Sequence, residues 1–364
     1  MAQKPIAEYG LQLSSNPVNI TGSEAAIRKF FFDFYYGGAQ TPHTLHPPKD
    51  LHSQLIKQIR ALSRKQELGS GATVTAFYYL LYITMERSRQ GHPITVPQSL
   101  WEPVSQEKDF QLLLELQAFI ENHYGQLLSE EELAWIHLQL LSSRTINRPD
   151  WEQVFFDHFN QWDELQGLSD DFLLSCGIDP EVRPVLTTFL NSFFLTRTIN
   201  DAIRPVLNKL FIEEERAIQT SYPKELLKNH YFLEGHRDKF VRSDVYFEDI
   251  VLSLTLYSQL LFHYYAPKRT LLFLLEGEPL VIQTIQARAY QLFGDRHIVN
   301  YLKIKELTEN HLNDNSVDLL VTNYSPYLSE YRFTKDYILM NQIPDRQDWE
   351  RVLVKVNALA LSPS

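Results

Sequence analysis

The sequence predicts a mainly α protein that closes with a small parallel α/β unit. Two observations carry this reading. Apolar residues recur at helical spacing from about residue 23 to residue 266, punctuated by Gly and Pro. From Arg269 onward, short apolar runs alternate instead with helix-period stretches, the pattern of a parallel sheet.

Residues 8–22, EYGLQLSSNPVNITG, alternate loosely around the turn signal Asn16-Pro17, so residues 1–22 read as a hairpin or extended lead-in. Thr21-Gly22-Ser23-Glu24 has the form of a capping box for the next helix. That helix carries Ile27, Phe30, Phe31 and Phe34 on one face and stops at Gly37-Gly38. A loop rich in Pro and His, Gln40 to Pro48, leads to a second helix with Leu51, Leu55, Ile59 and Leu62, ended by Gly69-Ser70-Gly71. A largely buried third helix is expected over Thr73–Arg87, and a connection from His92 to Pro103. Phe110 to Tyr124 forms a fourth helix, closed by Gly125. Ser129 to Glu132 caps a fifth, with Leu133, Ile136 and Leu140 inward. These five helices make one domain over residues 23–145.

After Asn147-Arg148-Pro149, an aromatic helix Trp151–Trp162 opens a second helical domain over residues 146–267. Its strongest elements are Val182–Ile199, Arg204–Thr220, Tyr222–Leu233 and Phe247–Tyr265. The fifth helix of each domain opens alike. Glu132-Leu-Ala-Trp-Ile-His-Leu-Gln139 and Glu248-Asp-Ile-Val-Leu-Ser-Leu-Thr255 both read acid-x-x-Φ-Φ-x-Leu-x, a weak repeat at a spacing of roughly 116 residues. Duplication or shared helical periodicity would each produce it.

The third domain, residues 268–364, begins with the strand Arg269–Leu275, apolar from Leu271 on. A tight segment, Glu276-Gly277-Glu278-Pro279, and a helix Leu280–Phe293 follow. Further strands are expected at His297–Leu302, Val317–Thr322 and Tyr337–Met340, then Pro344-Asp345 and a last helix to about Ala358.

At 364 residues, 44% hydrophobic and 22% charged, the chain can bury several cores. No apolar run reaches the about 18 residues of a membrane span, and MAQKPIAEYG lacks the apolar core of a signal peptide. The lone Cys176 excludes internal disulfides and a cysteine-rich metal site, and reads as a small packed residue. A cytoplasmic location away from membranes is expected. The net charge of −11 comes without a cluster of Lys and Arg; Lys57–Lys65 reads as a solvated helix face. Tight binding to duplex DNA by this chain is therefore not expected.

No Gly-rich phosphate loop, HExxH pattern or serine elbow occurs. His43 and His46 sit in the Pro-rich loop without a cysteine or carboxylate pair beside them, so a solvated loop is favoured over a metal site. His230 and His236 flank an exposed turn at Gly235. His263 lies at a helix C-terminus, where the dipole favours an imidazolium. No catalytic residue, metal or cofactor is expected.

Two similar helical units followed by a βαβ tail resemble the regulatory half of Mga- and AtxA-type transcription regulators of Gram-positive bacteria, a family of virulence regulators. In these, two PTS regulation domains (PRDs) precede a domain shaped like the IIB component of the sugar phosphotransferase system. The likeness rests on Asn19–Glu24, Tyr82–Arg87, the two repeated helix openings and Asp318–Asn323, in that order. It implies a non-enzymatic regulator that dimerises through the IIB-like and second helical domains. It also implies DNA contact through N-terminal helix-turn-helix domains. None precedes residue 10, so the sequence reads either as the part that follows those domains or as a short form.

The resemblance also implies histidines that accept phosphoryl groups from the sugar transport chain. The matching positions hold Thr75, Gln139 and Thr255, none of which can form a phosphoramidate. His137 and His263 are the nearest fallback acceptors, out of register and not expected beside an arginine that would hold a phosphoryl group. A IIB enzyme carries a nucleophile after its first strand, where this chain has Glu276 and Gly277; a carboxylate there repels phosphate, so the loop is expected to be degenerate. Contact with phosphotransferase proteins is then at most weak. Two other functions remain open: a stand-alone helical protein binding a small ligand between its helical units, and an active phosphotransferase component.

Overall fold

The computed structural model describes residues 3–37, 49–65, 70–181, 183–210, 212–240, 243–302, 316–330 and 336–361. The chain divides into two compact units, Met1–Gln259 and Leu260–Ser364. The first is helical apart from one hairpin; the second carries a four-stranded parallel sheet. The fold class is thus mainly α with a small C-terminal α/β unit.

A short helix α1 (Gln3–Ala7) precedes the hairpin β1 (Gln12–Ser15) and β2 (Val18–Thr21), whose antiparallel register pairs Leu13 with Ile20. The hairpin packs through Leu11 onto Tyr9, Ala26, Ile27, Val206 and Tyr246. The next helix, α2 (Glu24–Phe32), is not capped by Thr21, which is spent in β2. Ser23 is the cap, its Oγ accepting from Ala26 N–H at 3.3 Å. Gly22 makes the turn between them at φ 157°, and a Cβ there would run into Leu11. A π-helical turn, Asp33–Gly37, continues α2.

Next come α3 (Lys49–Ser63), α4 (Val74–Arg89), α5 (Gln98–Gln106), α6 (Lys108–Tyr124) and α7 (Glu130–Leu141). Thr73 caps α4, and Gly125 closes α6 in the left-handed conformation at φ 62°. Helix α5 corrects the expected connection over His92–Pro103. Pro103 reads as a breaker in sequence, but the helix carries it in its interior while burying Leu100 and Val104 on one face.

The rest of the first unit comprises α8 (Pro149–Phe159), α9 (Leu168–Ser175), α10 (Pro184–Ile203), α11 (Ile212–Ser221), α12 (Pro223–Gly235) and α13 (Phe247–Tyr264), the last running on into the second unit. Helix α10 packs on α8 and α9 and buries residues around most of its circumference. The single helix expected over Arg204–Thr220 is two elements, a 3-10 turn Pro205–Asn208 and α11. Pro205 forces Arg204 into extended backbone, φ −165° and ψ 127°, which stops α10 at Ile203. Among the described residues no helix is long and apolar enough to cross a membrane.

In the second unit, β3 (Thr270–Leu274), β4 (Ile298–Leu302), β5 (Leu319–Thr322) and β6 (Tyr337–Leu339) are parallel, in the order β4-β3-β5-β6. Helices α14 (Pro279–Phe293), α15 (Pro326–Glu330) and α16 (Arg346–Leu361) accompany them. Leu271, Phe273, Leu319 and Val321 face Ile285, Ala289, Phe293 and Val352, whereas Leu272, Leu274 and Leu320 face Val317 and Tyr327. Both faces of the central strands are covered, which is why they read as continuous apolar runs rather than alternating ones. With β4 on one side of β3 and β5 on the other, the strand order reverses beside β3. The crevice at the C-terminal ends of β3 and β5 is where such sheets bind ligands.

Candidate functional site

The first half of the helical unit is built around a buried charge network. Arg28 of α2 is 3% exposed and Glu132 of α7 1%. The Arg28 guanidinium donates to both Glu132 oxygens, at 2.5 and 3.1 Å, to Glu24 at 2.9 Å and to the His92 carbonyl at 2.9 Å. Arg87 of α4 donates to the same Glu24 at 2.7 and 2.9 Å. Glu132 also accepts from Ile94 N–H at 3.3 Å. Glu24, Arg87 and Glu132 come from three of the segments that carry the family resemblance. The network ties α2, α4 and α7 together and fixes the loop before α5.

The positions matched to phosphorylatable histidines fall in different surroundings. Thr75 is exposed in the first turn of α4. Gln139 is half-buried near the end of α7, its Nε2 shut off from solvent without an acceptor among the described residues. Thr255 is fully buried in α13; its hydroxyl donates to the Val251 carbonyl at 2.8 Å and accepts from Asn229 Nδ2 at 3.0 Å. It is a satisfied core hydroxyl.

Of the fallback acceptors, His137 is 1% exposed, with Nε2 2.9 Å from Glu107 Oε2 and its ring against Phe110. The contact has ion-pair distance but not hydrogen-bond direction. Glu107 caps α6, accepting from Asp109 and Phe110 N–H at 3.0 and 2.9 Å. Burial works to raise the Glu107 carboxyl, but His137 and these two amides together hold it below the ordinary range. A phosphoryl group on His137 would meet that carboxylate inside the core. His263 requires a correction. It is exposed at the end of α13, and Arg296 Nη1 points at its Nε2, so an arginine does stand beside it. Arg296 arrives from the turn after α14, too distant in sequence to be anticipated.

A cavity of about 290 Å³ lies within the helical unit, between α2, α4, α7 and α10. Gln139 lines it from α7 and Arg197 from α10, with Trp135, Ile83 and Leu80 among its apolar walls. Arg197 was not singled out by the sequence, where it is one basic residue inside an apolar helix.

The loop after β3 is pinned on every side. Glu276 N–H donates to Asn323 Oδ1 at 2.9 Å, Asn323 Nδ2 donates to the Glu276 carbonyl at 2.9 Å, and Tyr327 O–H donates to Glu276 Oε2 at 2.7 Å. Gly277 adopts φ 126°, a conformation side chains rarely take. Glu278 caps α14, its carboxylate accepting from Leu280 and Val281 N–H at 2.8 and 3.2 Å. The amides that a helix N-terminus would offer a phosphate are thus held by the protein's own carboxylate. The sequence places Glu278 in this tight segment but does not give it the capping role, and it does not tie Asn323 to the loop. A Glu directly before a Pro at a helix start is the signal that could have found the first.

Cys176, half-buried behind α9, has its thiol pushed up by burial, which Lys228 and Ser175 offset only in part. Among the described residues no group of three or more His, Cys, Asp and Glu could hold a metal ion. His43 and His46 lie outside the described residues. His230 Nδ1 stands 3.3 Å from Glu248 Oε1, and His236 Nε2 3.7 Å from Asp171.

The family model for the PRD domain matches residues 53–143, from within α3 to just past α7. A PRD domain is therefore present there, and such domains are regulatory rather than catalytic. The match spans less than half of the chain. No curated protein matches it.

Proposed function

We propose that this chain is the regulatory and dimerisation part of a transcription regulator of the Mga type, acting without catalysis in the cytoplasm. The PRD domain at residues 53–143 carries the reading. Three features support it further: a second helical region that ends, like the first, on a helix with a buried acid; a parallel α/β tail; and a loop in that tail whose anion-binding amides are filled by Glu278. DNA would be contacted by other domains, since a net charge of −11 repels a duplex.

The α/β unit is the proposed dimer surface. Leu280 and Ile343, 69% and 72% exposed, flank a groove floored by Val281, Ile285 and Trp349. Apolar surface of this kind is a feature of association sites. Light scattering should find a dimer at about tens of micromolar, where an interface of standard size persists, and Leu280→Asp with Ile343→Asp should give monomers. A monomeric wild-type chain would sink the proposal.

The substitutions at Thr75, Gln139 and Thr255 predict little or no phosphorylation by the sugar phosphotransferase chain. Incubation with phosphorylated HPr, followed by detection of acid-labile phosphate, tests this. Stoichiometric labelling would overturn it. Label on His263, the histidine with an arginine beside it, would restore a phosphorylation-controlled regulator; label on His137 would require the core around Glu107 to open.

A further inference from the structure

Four cationic side chains line the cavity between α2, α4, α7 and α10, and among the described residues one of them, Arg197, has no carboxylate against it. Arg28 is matched by Glu132 and Glu24. Lys29 holds Asp33 at 2.7 Å. Lys209 is matched by Asp249 at 3.0 Å and by Glu215. Arg197 has none of this. Among the described residues its Nε is shut off from solvent without a hydrogen-bond partner, and the Phe193 ring lies 5.1 Å from the guanidinium carbon. Burial pushes this guanidinium down to about 10, so it remains protonated at neutral pH. An enclosed cation without a counter-charge is costly, and proteins that keep one ordinarily pair it.

The second unmet donor belongs to another residue of the same lining. Gln139 Nε2 is buried without an acceptor, whereas its neighbour Asn200 is fully engaged, accepting from Ser142 Oγ at 3.0 Å and donating to Asn208. Arg197 and Gln139, each with an N–H that meets no acceptor among the described residues, therefore line one cavity, and its wall also carries the apolar Trp135, Ile83 and Leu80. A cavity of about 290 Å³ accommodates a small metabolite and no macromolecule.

We infer that this cavity is a binding site for a small organic oxyanion, a carboxylate or phosphate monoester, whose charged head is held by Arg197 and Gln139 while its body lies against the apolar wall. The guanidinium supplies the charge and a forked donor geometry that suits either head group. The ligand would sit where residues from both helical regions meet, so its binding would stabilise their packing. The site stands on this geometry alone and does not depend on whether the protein is a dimer or is phosphorylated.

The test is thermal unfolding of the full chain with inorganic phosphate, glycerol 3-phosphate or butyrate, each against sodium chloride at matched ionic strength. At least one oxyanion should raise the Tm saturably beyond the chloride control. A larger effect of glycerol 3-phosphate than of phosphate and butyrate identifies a phosphate monoester, and the reverse order with butyrate first a carboxylate. Arg197→Met should unfold no earlier than wild type without ligand, because it removes a half-buried charge that no carboxylate matches among the described residues, and should lose the oxyanion shift. Gln139→Leu should weaken the apparent affinity about tenfold, the loss of one hydrogen bond to a charged group. Arg148→Met, which removes an exposed partner of Asp150, should keep the full shift. Absence of a saturable shift with all three oxyanions would overturn the inference. So would an Arg197→Met protein that is destabilised or unfolded without ligand, or equal shifts in wild type and Gln139→Leu.

Discussion

Helix α7 buries its first-turn acid against an arginine, and helix α13 buries its own against a lysine. Glu132 takes Arg28 in a two-pronged contact and accepts from Ile94 N–H. Asp249 takes Lys209 at 3.0 Å and accepts from Leu210 N–H at 2.8 Å. Each acid is the third residue of its helix, and each ties the helix start to a preceding loop by one backbone N–H and one cation. The exposed residue just before each, Glu131 and Glu248, then also corresponds. The shared feature is a buried carboxylate in one helical position rather than a string of matching letters. It pairs Glu132 with Asp249, one place beyond the pairing with Glu248 that the helix openings suggest. On this register Gln139 stands opposite Leu256, and Thr255 opposite Leu138.

Breaking the first of these contacts should give the largest effect. Glu132→Ala leaves Arg28 buried with only Glu24 and frees Ile94 N–H. Removing one partner of a buried pair costs about 3–5 kcal/mol, to be read from urea unfolding of the full chain. A loss below about 1 kcal/mol, the range of an exposed ion pair, would mean the network is ornamental. Asp249→Ala should cost less, about 1–3 kcal/mol, since Lys209 keeps Glu215 as a partner. If Asp249→Ala proved the more damaging, the lysine pair rather than the arginine network would be the stronger of the two.

The register shift shows what the sequence could and could not convey. Long periodic helices were legible: α4, α6, α7 and α13 fall within a few residues of their expected bounds, because their caps Thr73 and Ser129 and the stop Gly125 act locally. The parallel sheet was legible because strands buried on both faces are continuous apolar runs. Helix α5 was not, since Pro103 punctuates a segment whose burial of Leu100 and Val104 is decided by tertiary packing. Of the candidate site, the identities at Thr75, Gln139 and Thr255 could be read directly, but their surroundings could not. Arg197, Asn323 and Arg296 act across 47 residues in the case of Asn323 and 33 in the case of Arg296, and no local pattern marks such partners.

The cap of α6 gives a smaller effect with a pH signature. Glu107 accepts two backbone amides and faces His137, whereas the position opposite His137 in α13 is the apolar Leu254. Glu107→Gln should cost about 0.5–2 kcal/mol at neutral pH, the range for a helix cap. Because the folded carboxyl lies below its ordinary value of 4.5, its contribution is present above that pH and lost as the pH falls through the folded value. Urea midpoints measured from pH 6 down to pH 3 should therefore fall less steeply for the variant than for wild type. Parallel curves would show that the carboxylate does not couple to folding.

The smallest expected effect decides the register. Glu248 is 69% exposed on its side chain and stands 3.3 Å from His230 Nδ1. Glu248→Ala should change stability by no more than about 0.5 kcal/mol, as surface substitutions do. If it instead cost about what is expected of Asp249→Ala while Asp249→Ala cost almost nothing, then Glu248 would be the true counterpart of Glu132, and Thr255 the counterpart of Gln139. The pair of variants in one urea series separates the two registers, because one predicts a large effect at Asp249 with almost none at Glu248 and the other predicts the reverse. The first outcome follows from the physics of the helix start. A carboxylate at the third position can turn inward to a loop amide and a buried cation, as Asp249 does, while one a residue earlier points to solvent.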